Sequence, residues 1–210
     1  MTGAVLRCCV IGYLLGNINP AFLFAMHKGY DPRVDGSGNA GASNAFILAG
    51  KLAFFMTASL DILKAFLACR LCRYLLPALP LAGQIGGVAC ILGHMYPAAL
   101  RFRGGKGLAS LGGVILSWDW RAFLVLLVLA VLLAFLTNYI CFVAPTMSLL
   151  FPALYYARTH SIAAALVLLI PAVPIFMKHT ENFRRIREGT EVRMSYLWNK
   201  DGELKRTGRS

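Results

Sequence analysis

Leu108-Ala109-Ser110-Leu111-Gly112-Gly113-Val114-Ile115-Leu116 is the stretch that decides how this chain is threaded. It is apolar, but it is far short of the roughly 20 residues that a helix needs to cross a hydrocarbon layer about 30 Å thick. It crosses only if its flanking glycines extend it or the bilayer thins around it. Counted as a span, it brings the crossings to seven; left out, it leaves six.

The remaining spans follow from hydropathy. Of 210 residues, 58% are hydrophobic and 14% charged, and the mean hydropathy of +0.65 is well above that of soluble domains. Apolar runs fill the chain from residue 2 to 178, with spans expected at 4–26, 52–79, 81–97, 122–136, 139–156 and 161–177. Pro80 separates the second from the third, which is short and Gly-rich and so permits close backbone approach. Ser117-Trp118-Asp119-Trp120-Arg121 sets two Trp beside charges, as at a membrane interface. The first run has an early Arg7 and no clear cleavage site, and is kept as a helix. The expectation is an all-α integral membrane protein of about seven transmembrane helices, some of them short. One membrane domain covers 1–193, and a polar, basic tail, 194–210, is expected to be disordered.

The 21 Lys and Arg against 9 Asp and Glu give a net charge of +12, and their positions say more than their number. Nine lie between Lys178 and Arg209, and the rest include Lys28, Arg33, Lys51 and the Arg101, Arg103, Lys106 cluster. This is the distribution of cytoplasmic loops that follow the positive-inside rule, and it argues against nucleic acid as a partner. Parity carries the point further. Two crossings separate the polar loop at 27–51 from the loop at 98–107. Four separate the latter from the tail if the short segment spans, and three if it does not. The basic residues favour four, which puts all three polar regions, and the C-terminus, on the cytoplasmic face.

Within the second span, Asp61 and Lys64 lie three apart on one helix face, where they can pair. At membrane depth such charges mark either a structural ion pair or a site, with equal weight. The six cysteines include one Cys69-Arg70-Leu71-Cys72 spacing without a second pair, so neither a metal nor a redox site is indicated.

Three motifs can carry chemistry. Asp35-Gly36-Ser37-Gly38-Asn39-Ala40-Gly41-Ala42-Ser43-Asn44 is rich in small residues that free backbone N–H groups for an anion, although the same composition also suits a flexible loop. Gly93-His94-Met95-Tyr96-Pro97 leads into Phe102-Arg103-Gly104-Gly105-Lys106-Gly107. Here a Gly-flanked ammonium suits phosphate, and headgroup anchoring explains the cations about as well. His179-Thr180-Glu181-Asn182-Phe183-Arg184-Arg185-Ile186-Arg187-Glu188-Gly189-Thr190-Glu191 follows the last span, with His179, Asn182 and Arg184 near one another on a helical turn. A bare basic juxtamembrane segment does not explain its His-x-Glu-Asn start.

Taken in order along nearly the whole chain, these motifs resemble the bacterial PlsY family, the acyl-phosphate:glycerol-3-phosphate acyltransferases. Asp31-Pro32-Arg33 and Asp61-Ile62-Leu63-Lys64 also look like that family's pattern. The resemblance implies a seven-helix enzyme of the bacterial inner membrane. It would acylate the 1-hydroxyl of glycerol 3-phosphate from acyl phosphate, releasing phosphate and 1-acylglycerol 3-phosphate for phospholipid synthesis, with no metal or organic cofactor. It implies that the residues from Gly36 to Asn44, including Ser37, Gly38, Asn39, Gly41 and Ser43, line a phosphate pocket. Ser37 then donates a hydrogen bond to phosphate, a covalent acyl-serine being the less favoured role.

By the same resemblance, Lys106 would hold phosphate and stabilise departing charge, while His179, Glu181 and Asn182 would orient the acceptor. His94, Gly104, Gly105, Gly107 and Arg184 complete the substrate-binding set. The general base is open between His179, His94 and a substrate phosphate oxygen. Membrane lipids and an upstream acyl-phosphate synthase are the partners implied. The chain departs from the pattern at Ile47 and at Asn138, where the family usually has Arg, and at Cys141 and Ala144, where it usually has Ser. Those departures leave room for a different acceptor or a slow enzyme. A small polytopic transporter or lipid-binding protein is the competing class, but its polar groups are expected near midplane, whereas these motifs cluster at helix ends.

Overall fold

The computed structural model describes residues 1–208, and every regular element among them is helical. The first expected span is two helices, α1 (Thr2–Asn17) and α2 (Pro20–His27). Pro20 has no N–H and cannot continue α1, so the chain breaks at Ile18 and restarts with Asn19 accepting the Phe22 N–H at 2.8 Å. The second span begins ten residues before its expected start: α3 runs Ala42–Leu75 and takes in the end of the first motif. At Gly50 (φ 84°) it kinks, which sets 42–49 apart from the long membrane-crossing part. The helices α4 (Ala82–Met95), α5 (Leu108–Trp118), α6 (Trp120–Thr137) and α7 (Val143–Thr159) follow. The last expected span is α8 (Ile162–Leu169) and α9 (Ala172–Arg187) in succession.

Among the described residues, five helical stretches are long and apolar enough to cross a membrane: Thr2–His27, Ala42–Leu75, Trp120–Thr137, Ile140–Thr159 and Ile162–Arg187. α4 and α5 are roughly 21 and 16 Å long at 1.5 Å per residue, but both still run from one end of the bundle to the other. α5 leaves Lys106, beside α9, and reaches Asp119, which pairs with Arg158 at 2.9 Å at the opposite end. α6 then returns to Asn138, whose carbonyl accepts the Met194 N–H. The 108–116 segment therefore counts as a pass, and the three polar regions share one end of the molecule. Short helices suffice here because protein, not lipid, surrounds them. Eleven residues of α4 are buried, and α5 packs along α3, where Gly113 lies against the Ile62 carbonyl.

α1 and α4 meet through glycines. A Cβ on Gly12 would collide with the Gly86 carbonyl oxygen, and one on Gly16 with that of Cys90. Gly12→Val is expected to cost about 3 kcal/mol or more, since backbone has to move to admit it. Thermal unfolding in detergent checks this, and a Tm equal to wild type would show that α1 can slide off α4.

The tail, expected to be disordered, is folded through residue 208. A 3-10 turn at Met194–Leu197 precedes α10 (Lys200–Thr207). Tyr196 is buried with its ring edge-on to Phe46 at 5.7 Å, and Arg206 holds the Gly189 and Glu191 carbonyls.

Candidate active site

The first motif loop is shaped by its own polar side chains. Arg33 pairs with Asp31 at 2.7 Å and holds that carboxyl below the usual carboxylate range. Asn44, fully buried, donates to the Pro32 and Asp35 carbonyls and accepts the Ser37 N–H at 2.7 Å. The Ser37 amide is thus committed to the loop, and its hydroxyl is the group of that residue left for a ligand. Gly36 (φ 64°) supplies a backbone turn that a side chain would oppose, and a Cβ there would strike Asn44. Ala40 is tied to the α1–α2 break by Asn19 Nδ2, 3.0 Å from its carbonyl oxygen.

The second loop folds back onto the end of α4, with the Gly104 N–H donating to Met95 O at 3.2 Å and the Gly105 N–H to His94 O at 3.1 Å. A Cβ on Gly105 would strike the His94 ring and sit tightly, at 3.1 Å, against the Ala40 carbonyl, so glycine lets this loop pack between them. Gly107 (φ 88°) turns the chain into α5, whose N-terminus has no side-chain cap, leaving first-turn N–H groups aimed at the loop. Lys106 sits at that turn. Its ammonium donates to Asn182 Oδ1, and burial, reinforced by the nearby Arg185 guanidinium, lowers its pKa to about 8.

The third element is the end of α9. His179 is buried, with Nδ1 2.7 Å from the Ile175 carbonyl, which assigns the ring proton to Nδ1 and leaves a lone pair on Nε2. Asn182 donates to Glu191 Oε1 at 2.6 Å, and Glu191 pairs with Arg185 at 2.6 Å. Lys178 donates to Gly104 O at 3.2 Å and lies over the Tyr96 ring. Lys178 lies outside the motifs, and Arg185 and Glu191, although within the third, carried no expected role in the site. α9 spacing alone puts Arg185 near Asn182, but Glu191 arrives only through the turn at Gly189 (φ 72°), which spacing does not reveal.

The structure therefore gathers the 36–44 loop, Gly104, Gly105, Lys106, Gly107, His179 and Asn182 at one end of the bundle. It does not bring every expected residue inward. Glu181 and Arg184 are half exposed or more and pair with each other at 2.7 Å, and Ser43 is exposed. His94 lies behind Gly105, not in front of it, in contact with Asp61 and Lys64. Of the departures, Asn138 turns the chain at φ 62° and uses its backbone oxygen, and Cys141 is buried within electrostatic reach of Lys106.

Beside this cluster an apolar groove of about 530 Å³ runs between α7 and α9, lined by Phe142, Pro145, Leu149, Leu150, Phe176 and Phe183. Phe183 is next to Asn182 in the chain and packs against both His179 and Phe142, so the groove opens at the polar cluster. Ammonium groups and amides at the membrane surface, with an open apolar groove beside them, suit phosphate attached to a lipid chain. The class so defined is an integral membrane transferase.

The family model described as glycerol-3-phosphate acyltransferase matches residues 6–189, and the chain belongs to that family. It is similar to glycerol-3-phosphate acyltransferase of Mesorhizobium japonicum, with 34% identity over 193 residues covering 91% of this chain and 96% of the relative. The same-named protein of Photobacterium profundum is 35% identical over 201 residues, covering 95% and 96% of the two chains. Among solved structures, the glycerol 3-phosphate form of PlsY, an integral membrane glycerol 3-phosphate acyltransferase, superimposes with a TM-score of 0.84 at 27% identity, covering 92% of this chain and 96% of PlsY. Its lysophosphatidic acid form gives 0.81 over the same shares.

Proposed function

We propose that this protein transfers the acyl group of an acyl phosphate to the 1-hydroxyl of glycerol 3-phosphate, giving 1-acylglycerol 3-phosphate and inorganic phosphate. The observation that carries this reading is the part-buried Lys106 ammonium on Asn182, where two glycine-rich loops and the end of α9 meet. The forms in which PlsY was solved, with glycerol 3-phosphate and with lysophosphatidic acid, supply the matching acceptor and product.

An acyl phosphate is already activated, so positioning and charge stabilisation are the main tasks. In this reading, the Ser37 hydroxyl and the Gly36 and Asn39 amides hold one phosphate, the Gly38 and Gly41 amides being bonded to the Asp35 and Asn39 carbonyls within the loop. Lys106 and the first-turn amides of α5 hold the charge that grows on the leaving group, and Asn182 orients the acceptor. The acceptor hydroxyl attacks the acyl carbon, the carbon–oxygen bond to phosphate breaks, and the hydroxyl proton passes to His179 Nε2 or to the departing phosphate. The groove between α7 and α9 carries the acyl chain.

We place the enzyme in the bacterial inner membrane with the site and the C-terminus on the cytoplasmic side, because that end carries the Lys- and Arg-rich segments. The folded tail there is the surface on which an acyl-phosphate synthase would dock.

The deciding experiment supplies acyl phosphate and glycerol 3-phosphate to the purified protein in lipid and follows phosphate and lysophosphatidate together. Equimolar formation of both is expected. Background phosphate release without lysolipid in a folded sample would remove glycerol 3-phosphate as the acceptor.

A further inference from the structure

We infer that the Asp61–Lys64–His94 cluster, buried where α1, α3 and α4 meet, is a common brace that positions both phosphate-binding loops. Asp61 and Lys64 pair at 2.7 Å, and His94 Nδ1 lies 3.2 Å from Asp61 and 3.0 Å from Lys64. All three side chains are almost wholly buried, at a depth where charge is costly. An ion pair in such a place is a weak device for stability, since apolar residues of equal volume often serve as well. Directional bonds can fix backbone in a way that apolar packing cannot, and this cluster makes them toward both loops.

One arm starts at the Lys64 ammonium, which donates to the Ile18 carbonyl at 2.6 Å and to that of Gly16 at 3.2 Å, the carbonyls that the break between α1 and α2 leaves unpaired. The next residue, Asn19, donates to the Ala40 carbonyl at 3.0 Å and so anchors the 36–44 loop. The other arm is His94 itself. Its backbone oxygen accepts the Gly105 N–H at 3.1 Å, and its Nε2 edge backs onto Gly105 so closely that a Cβ there would strike it. The two arms converge again where Ala40 abuts Gly105. Asp61, Lys64 and His94 are therefore positioning residues: they touch neither substrate but set the spacing of the two loops that do.

The inference rests on the acyltransferase reading for its kinetic readout only; amide hydrogen exchange tests it independently. The variant D61N/K64M keeps the net charge and removes the brace. In lipid nanodiscs, exchange at both 36–44 and 103–108 is expected to quicken. KM for acyl phosphate and for glycerol 3-phosphate should both rise, roughly 10- to 100-fold as for other supporting-shell losses, with kcat changing less. A merely structural cluster would loosen α1, α3 and α4 around the substitutions and leave the loops and both KM values alone, which would overturn the inference. If wild type shows no turnover, the acyltransferase reading fails while the exchange result still decides on the brace.

Should the double variant not fold, Asn19→Ser keeps the α2 cap and cuts the first arm alone. Exchange should then quicken at 36–44 and not at 103–108. An equal response of both loops, or of neither, would overturn the two-armed brace.

Discussion

Lys106→Met is expected to leave a folded protein whose kcat/KM has fallen about 10³-fold and whose unfolding temperature at pH 7 has risen. The loss in rate follows from where the ammonium sits. It is partly buried where two loops meet the end of α9, its hydrogen-bond partner Asn182 is neutral, and Glu191, the carboxylate that acts on it most strongly, is already paired with Arg185. A phosphate is the natural counter-charge for such a group. The rise in stability follows from the same burial. With a folded pKa of about 8 against an ordinary 10.5, Lys106 releases its proton in the folded protein before it does so in the unfolded chain. Between those two values the unfolded chain binds the extra proton, so stability climbs as pH rises through the window. Below about pH 8 the full cost of the buried charge is present, and methionine removes it.

Activity has the opposite pH dependence. kcat/KM should fall as pH rises through about 8 and the free enzyme's ammonium is lost. Steady-state rates and thermal unfolding of both proteins across pH 6 to 10 test this together. A methionine variant within tenfold of wild-type turnover would displace Lys106 from the centre of the site.

The sequence alone carries much of this picture, and the places where it falls short have physical causes. The apolar runs marked the bundle because any helix facing lipid must be apolar over its length. Segment 108–116 resisted that test because the 20-residue requirement holds for lipid-exposed helices, and α5 is enclosed by α3, α6 and α7. Parity of the basic loops favoured the pass that length alone would not grant. The 36–44 loop, Lys106 and Asn182 were legible as glycine-spaced or amide-bearing motifs. His94 was not: its neighbours Asp61 and Lys64 lie 33 and 30 positions earlier, and no local spacing tells a histidine behind a loop from one in front of it. Glu181 and Arg184 share a motif with His179 and Asn182 but lie on the outward face of α9, where they pair at 2.7 Å. Such an exposed pair contributes little to stability. The tail looked disordered because its composition is polar; what orders it is a few specific anchors, Tyr196 on Phe46 and Arg206 on the 189–191 carbonyls.

Glu191 is where the largest effect outside the expected site residues should appear. Its side chain and that of Arg185 are 10% and 14% exposed, and its two oxygens are divided between Asn182 and Arg185. Glu191→Ala leaves the nearly buried guanidinium with only its longer, 3.4 Å contact to Glu181, at a cost of up to about 3 kcal/mol, and frees the Asn182 amide that meets Lys106. A drop in kcat/KM on the order of 100-fold should accompany the lower unfolding temperature, since Asn182 loses the contact that aims it.

Glu191→Gln separates these effects. A glutamine carbonyl still accepts from Asn182, so aim is kept, but the negative charge that opposes Arg185 near Lys106 is gone. The Lys106 pKa then moves below about 8, and the pH at which activity is lost on the alkaline side moves down with it. Alanine should therefore lower the rate at every pH, whereas glutamine should mainly shift the profile. Identical pH–rate profiles for wild type and Glu191→Gln would mean that Glu191 acts on Asn182 by hydrogen bonding alone and that its charge does not reach Lys106.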